Sequence, residues 1–179
     1  PDMRRTAKII NFGLLYGMGA FRLARDLRIG RTEADAFIAE YFAAFPGVRR
    51  YLDETILRAR DEGSVATLSG RRRAIEGIAA SNHNLRAAAE RMATNTPIQG
   101  TAADLIKEAM VRLDQRLREG RVQARLVLQV HDELVLEARE GQGDAVAAIL
   151  RDCMEGAGNL AVPLRVDVGR GRVWSELHA

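Results

Sequence analysis

Arg4, Lys8 and Phe12 recur every fourth residue, with Tyr16 one step further. On a helix this spacing keeps the first three within about an 80° sector of one face. Each has a plain reading when taken alone, since a basic helix face is ordinarily solvated and a Phe is ordinarily buried. Taken together, two cations followed by a flat ring could clamp a triphosphate and then press against a sugar or base, excluding water. No Asp or Glu stands four residues from Lys8, so no helical ion pair at that spacing claims its charge.

The second candidate is Asp132, flanked by His131 and Glu133 where the sequence predicts the tip of a hairpin. A carboxylate there projects with little competition from its own strand, and oxygen ligands of this type suit Mg²⁺. A polar turn that merely caps the hairpin is the plain alternative. A His-Asp pair also occurs in metal-dependent phosphohydrolases, which stay a rival enzyme class; that chemistry calls for more His ligands, and only His83 and His178 remain. Gly17-Met18-Gly19 lacks the third Gly of a dinucleotide loop and follows a helix instead of a strand, so it is not read as one.

These residues need elements to position them. Helices are predicted over residues 2–16, with Asp2 as cap, and over 21–27, 32–45 and 48–62, the third begun by Thr32 with Asp35 at capping-box distance and the fourth by Pro46-Gly47. Phe37, Tyr41 and Phe45 stack at i, i+4, i+8 and read as the buried stripe of an amphipathic helix. A short strand over 64–68 turns at Ser69-Gly70 into Arg71-Arg72-Arg73. A long helix then runs from about 84 to 119, where Asn95-Thr96-Pro97 should break or kink it and leave Gln99-Gly100 just beyond. Read without context, Asn95 is a helix cap and Gln99 a polar loop residue. Period-two alternation over 124–138 gives the hairpin, with Leu126, Leu128 and Val130 on one side; a helix over 143–155 and a strand over 163–168 follow. Helices first and a strand-richer end predict an α+β fold in two lobes, without repeats.

Bulk properties narrow the function. No run approaches the roughly 18 apolar residues that cross a bilayer, and the start has no signal-peptide core. A single cysteine, Cys153, excludes an internal disulfide and a cysteine zinc site and argues against redox chemistry. Residues 1–95 carry 16 basic and 11 acidic side chains, a net of +5, whereas residues 96–179 carry 11 and 13, a net of −2. The first half is therefore the better polyanion surface. Of the 27 basic residues only Lys8 and Lys107 are Lys, so a lysine retained at Lys8 draws attention.

The run Arg4-Arg5-Thr6-Ala7-Lys8-Ile9-Ile10-Asn11-Phe12-Gly13-Leu14-Leu15-Tyr16-Gly17 resembles motif B of the family A DNA polymerases, R-x-x-x-K-x-x-x-F-x-x-x-Y-G. Val130-His131-Asp132-Glu133 resembles motif C of that family, and the stretch from Ala89 to Asp104 between them resembles its long palm helix. Order and spacing agree, and the likeness continues through Val162-Pro163-Leu164-Arg165-Val166-Asp167-Val168-Gly169. The resemblance implies a mainly helical fingers subdomain over 1–80 and a palm portion over 81–179 with an antiparallel hairpin and a long helix. It implies a DNA-directed DNA polymerase of bacterial replication and repair, cytoplasmic and nucleoid-associated, not bound to a membrane, that uses two Mg²⁺ ions. Its partners would be primer-template DNA, dNTPs and the N-terminal part of the same polymerase.

Roles follow at matched positions. Arg4 and Lys8 would hold the triphosphate of the incoming dNTP, Phe12 would meet its sugar, and Tyr16 would stand at the base-pair and template side. Arg91, Asn95 and Gln99 would contact primer-template DNA, with His131 beside the primer terminus. Asp132 would be a metal ligand and, with Lys8 and the weaker acid Glu133, catalytic. One departure matters: these residues contain no run like motif A, D-Y-S-x-I-E-L-R, which supplies the family's other catalytic Asp. The chain is thus expected to be a piece of a longer polymerase, inactive alone and lacking a central palm strand. A non-catalytic nucleic-acid-binding or complementing fragment is the alternative.

Overall fold

The computed structural model describes residues 2–174 and 176. It divides into two compact units, residues 1–101 and 102–179. The division falls inside the longest helix.

In the first unit, α1 (Asp2–Leu15) ends because Gly17 adopts φ +79°. The Gly17 N–H then bonds the Leu14 carbonyl at 3.1 Å and the Met18 N–H that of Gly13 at 2.8 Å, the Schellman closure. Met18 folds onto Gly13, where a β-carbon would collide with its terminal methyl group. The expected Asp2 cap lies outside the described side chains. After Gly19 come α2 (Ala20–Leu27), α3 (Arg31–Ala44) and α4 (Pro46–Glu62). The Thr32 capping box does not form: α3 starts one residue earlier, and extended Gly30 takes the N-cap position without a side-chain bond. Pro46 opens α4, where its missing N–H is harmless.

Ile10, Leu14, Leu23 and Ala34 make one core, joined by Ile38, Tyr41 and Phe42. The stripe of Phe37, Tyr41 and Phe45 is not buried as expected, since Phe37 is 38% and Phe45 52% exposed. The inward face of α3 runs instead through Ala34, Ile38, Tyr41 and Phe42, one step round the helix.

Beyond left-handed Gly63, β1 (Ser64–Ala66) pairs antiparallel with β2 (Arg72–Ala74), Val65 opposite Arg73. Asn82 caps α5 (His83–Glu119) by accepting from the N–H groups of Asn84 at 2.9 Å and Leu85 at 3.2 Å. Ala89 and Ala93 of α5 pack with Ala59, Val65, Ile75 and Ile78. The expected interruption at Pro97 does not occur: α5 continues through it. Hydroxyls support the carbonyls around the proline, Thr96 donating to Met92 O at 2.7 Å, Thr94 to Glu90 O at 3.2 Å and Thr101 to Pro97 O at 2.5 Å. Asn95 and Gln99 are therefore interior helix residues, neither cap nor loop.

In the second unit, β3 (Ala124–Val130) and β4 (Glu133–Ala138) form the predicted hairpin, Val130 opposite Glu133. A register shift between Leu126 and Leu128 breaks the expected alternation, so Leu126 and Val130 are half-buried while Leu128 is exposed. With α6 (Gly143–Glu155), the hairpin closes a core of Ala109, Leu113, Leu134, Leu150, Cys153 and Ala157. The expected strand over 163–168 is not one. Its backbone bonds go to α6 side chains: the Val166 N–H donates to Glu155 Oε1 at 3.0 Å, and Arg151 Nε donates to Val166 O at 3.4 Å. Leu164, Val166 and Val168 keep the strand-like alternation, half-buried between exposed Arg165 and Asp167, which explains why the pattern read as a strand.

Candidate functional site

The four-residue spacing along α1 resolves into two faces. Ile10 and Leu14 are buried, which turns Arg4, Lys8 and Phe12 toward solvent. Neither Arg4 nor Lys8 forms an ion pair with a described acidic residue, so both charges are available to an anion. Phe12 is 55% exposed, contrary to the default for an isolated Phe. Its ring stacks on Tyr16 with centroids 6.4 Å apart and planes 14° from parallel.

Phe12 and Tyr16 line an open cleft of about 650 Å³ together with Gly17, Arg22, Asp26 and Arg91. The cleft exists because the chain reverses at Gly17, bringing α2 alongside the end of α1. Arg91 of α5 lies so close to Gly17 that a β-carbon there would meet its Cγ at 3.0 Å. Arg22 and Asp26 form an i, i+4 ion pair at 3.5 Å. This pair was missed by sequence reasoning; its spacing is legible, but its place in the cleft depends on the reversal.

Arg91, Asn95 and Gln99 follow one another at four-residue intervals on α5, the first and last exposed and Asn95 half-buried. The Asn95 Oδ1 is shielded without a hydrogen-bond partner among the described residues. An orphaned buried acceptor costs about 1–3 kcal/mol, so packing alone is a poor reason for an amide at this position.

In the second unit His131, Asp132 and Glu133 are all exposed at the hairpin tip. The connection is two residues long, and His131 adopts φ +51°, a left-handed conformation that a β-carbon disfavours. Gln129 Nε2 steadies it by donating to His131 O at 2.6 Å. The turn holds Asp132 outward. Oxygen ligands of this kind fit Mg²⁺, yet among the described residues no three His, Cys, Asp or Glu side chains gather as a metal site. The tip therefore offers part of a coordination shell. His83 starts α5 in the first unit and His178 lies outside the described residues, so among the described residues there is no cluster with the further His ligands that phosphohydrolase chemistry calls for.

No helix is long and apolar enough to cross a membrane among the described residues. Burial pushes the Cys153 thiol above its ordinary range, in keeping with its place in the core.

The chain is 54% identical over 174 residues to the thermostable DNA polymerase I of Thermus aquaticus, which covers 97% of the chain and 21% of that protein. It is 51% identical over 174 residues to DNA polymerase I of Bacillus caldotenax, covering 97% of the chain and 20% of that protein. The chain thus spans about a fifth of the length of these relatives. Among solved structures, the POL domain of Pol1 from M. smegmatis, in complex with DNA primer-template and dNTP, superposes with a TM-score of 0.96 at 43% identity, over 100% of this chain and 32% of that one. A model of DNA polymerase family A matches residues 1–176, and the chain belongs to that family.

Proposed function

We propose that this chain is the nucleotide-holding and primer-end portion of a bacterial DNA-directed DNA polymerase, acting in replication and repair in the cytoplasm at the nucleoid. The reaction transfers dNMP from a dNTP to a primer 3′-hydroxyl, releasing pyrophosphate. The observation that carries the reading is the α1 face, where Arg4 and Lys8, without an acidic partner among the described residues, precede an exposed Phe12 stacked on Tyr16. The likeness to a polymerase domain whose structure contains DNA primer-template and dNTP supports it.

Arg4 and Lys8 bind the triphosphate, and Lys8 stabilises charge that grows on it in the transition state. Phe12 packs against the sugar. Tyr16 and Arg91, at the cleft, face the template side, while Arg91, Asn95 and Gln99 contact primer-template DNA along α5. His131 stands by the primer terminus. Residues 1–80 act as fingers and 81–179 as palm. Asp132, with Glu133 beside it, contributes to holding two Mg²⁺ ions, which when bound supply Lewis-acid stabilisation of the reacting phosphate. Because the described residues offer only part of that coordination, the remaining carboxylate comes from the N-terminal part of the polymerase.

A non-catalytic binding role for these 179 residues taken alone is the second reading, favoured by the absence of a three-ligand cluster among the described residues. Primer extension with Mg²⁺, by the chain alone and with an N-terminal polymerase fragment added, separates the two. Extension only in the mixture supports the proposal, and template-free nucleotide hydrolysis by the chain would replace it with a phosphohydrolase.

A further inference from the structure

We propose that Tyr41 is a positioning residue that sets the roll of α1 through a hydrogen bond to Asn11, and so aims Lys8 and Phe12; the inference rests on the nucleotide role proposed for those two residues. The Tyr41 hydroxyl donates to Asn11 Oδ1 at 3.2 Å, linking α3 to α1 across 30 residues of sequence. Asn11 Nδ2 donates in turn to Ala7 O of its own helix at 2.9 Å. The carboxamide is thereby held at both ends, its nitrogen by α1 and its oxygen by α3.

Asn11 immediately precedes Phe12. At 100° per residue it stands about 20° from Arg4 and about 60° from Lys8 around α1, on the border between the exposed sector and the buried one of Ile10 and Leu14. The buried contacts are apolar and non-directional, so they hold α1 against the core while allowing a small roll. A hydrogen bond depends on angle and resists that roll. Any roll would move Lys8 and Phe12 together, because both are fixed to the same helix.

Tyr41 is itself well anchored. Its ring meets Phe42 edge-on at 5.5 Å and Phe45 at 5.0 Å, and the Arg49 guanidinium sits 5.5 Å over Phe42. The bond also gives the tyrosine between Phe37 and Phe45 in the series along α3 a use for its hydroxyl.

The test is a double-mutant cycle in the 179-residue chain, with Tyr41→Phe, Asn11→Ala and the double variant, reading dATP affinity with Mg²⁺ by calorimetry and stability by urea unfolding. Each single variant should weaken dATP binding about fivefold, because only a fraction of the chains then holds α1 in the aimed roll, and the double variant should be no worse than either single one. The urea midpoint of Tyr41→Phe should fall by no more than the loss of one exposed hydrogen bond. Lys8→Ala serves as the control for the nucleotide reading, and affinity that ignores Lys8 would overturn that reading together with this one. If Lys8→Ala weakens binding while Tyr41→Phe binds like the wild type, if the single losses add in the double variant, or if affinity only follows the urea midpoint, the positioning role alone is overturned.

Discussion

The rings of Phe12 and Tyr16 stack one helical turn apart, 6.4 Å between centroids, and the outer of the two, Phe12, is more than half exposed. A ring supported from behind and open in front is a rigid wall for a ligand. That relation gives the α1 face its selectivity under the proposed function.

Phe12→Tyr should improve acceptance of dideoxynucleotides relative to dNTPs in the reconstituted polymerase. A dideoxynucleotide leaves a gap and an unpaired acceptor where the 3′-hydroxyl would be, and the added phenol can fill it. One good hydrogen bond in a closed site is worth about 1–3 kcal/mol, or about tenfold to a hundredfold in the ratio of kcat/KM values. An unchanged ratio would mean that Phe12 does not face the sugar.

Lys8→Ala should raise KM and lower kcat together, because in the proposed role the ammonium both binds the triphosphate and stabilises charge that grows during transfer. Steady-state kinetics with the mutated chain in the reconstituted enzyme checks this. Wild-type constants would return Lys8 to an ordinary solvated face.

Much of this was legible in the sequence because local signals and tertiary structure agreed. The four-residue spacing of Arg4, Lys8 and Phe12 survived folding because Ile10 and Leu14 claim the opposite face of α1. The hairpin tip at His131 and Asp132 was set by alternation on either side. What could not be read depended on partners distant in sequence. The helix α5 continues through Pro97 within a single long element, Glu155 and Arg151 take the backbone bonds of the 163–168 segment, and the register shift after Leu126 exposes Leu128. The Tyr41 bond to Asn11 has no signature in either helix alone.

Pro97→Ala should stabilise the chain by about 1–3 kcal/mol, since alanine restores the N–H that the Ala93 carbonyl lacks and removes the ring from the helix interior. Urea unfolding measures it. A destabilised variant would show that surrounding packing has adapted to the proline.

His131→Gly should also stabilise, by about 1 kcal/mol, because glycine accepts φ +51° without the β-carbon clash, offset in part by its greater freedom when unfolded. Catalysis in the reconstituted enzyme should fall despite the gain, since the proposed role of the imidazole beside the primer terminus is lost. Lower stability would place His131 among residues that hold the hairpin together.

Cys153 gives a pH signature. Burial raises its thiol above the ordinary value, with Arg116 opposing more weakly, so the folded chain keeps the proton that the unfolded chain gives up first. The resulting stabilisation is complete below about pH 8.5 and declines as pH rises through the folded value. Cys153→Ser should lose that part of the decline in urea unfolding above about pH 8.5. A slope identical to wild type would contradict it.

The central claim is that α1 and the Asp132 tip are the nucleotide-holding and metal-holding parts of one polymerase. Single-nucleotide incorporation by the 179-residue chain combined with an N-terminal polymerase fragment, wild type against Asp132→Asn, tests it most directly. The account predicts template-dependent incorporation that needs both pieces and falls by about three orders of magnitude or more with the amide, which keeps the shape of Asp132 but not its charge. Incorporation by the chain alone, or near-normal incorporation with Asp132→Asn, would contradict it.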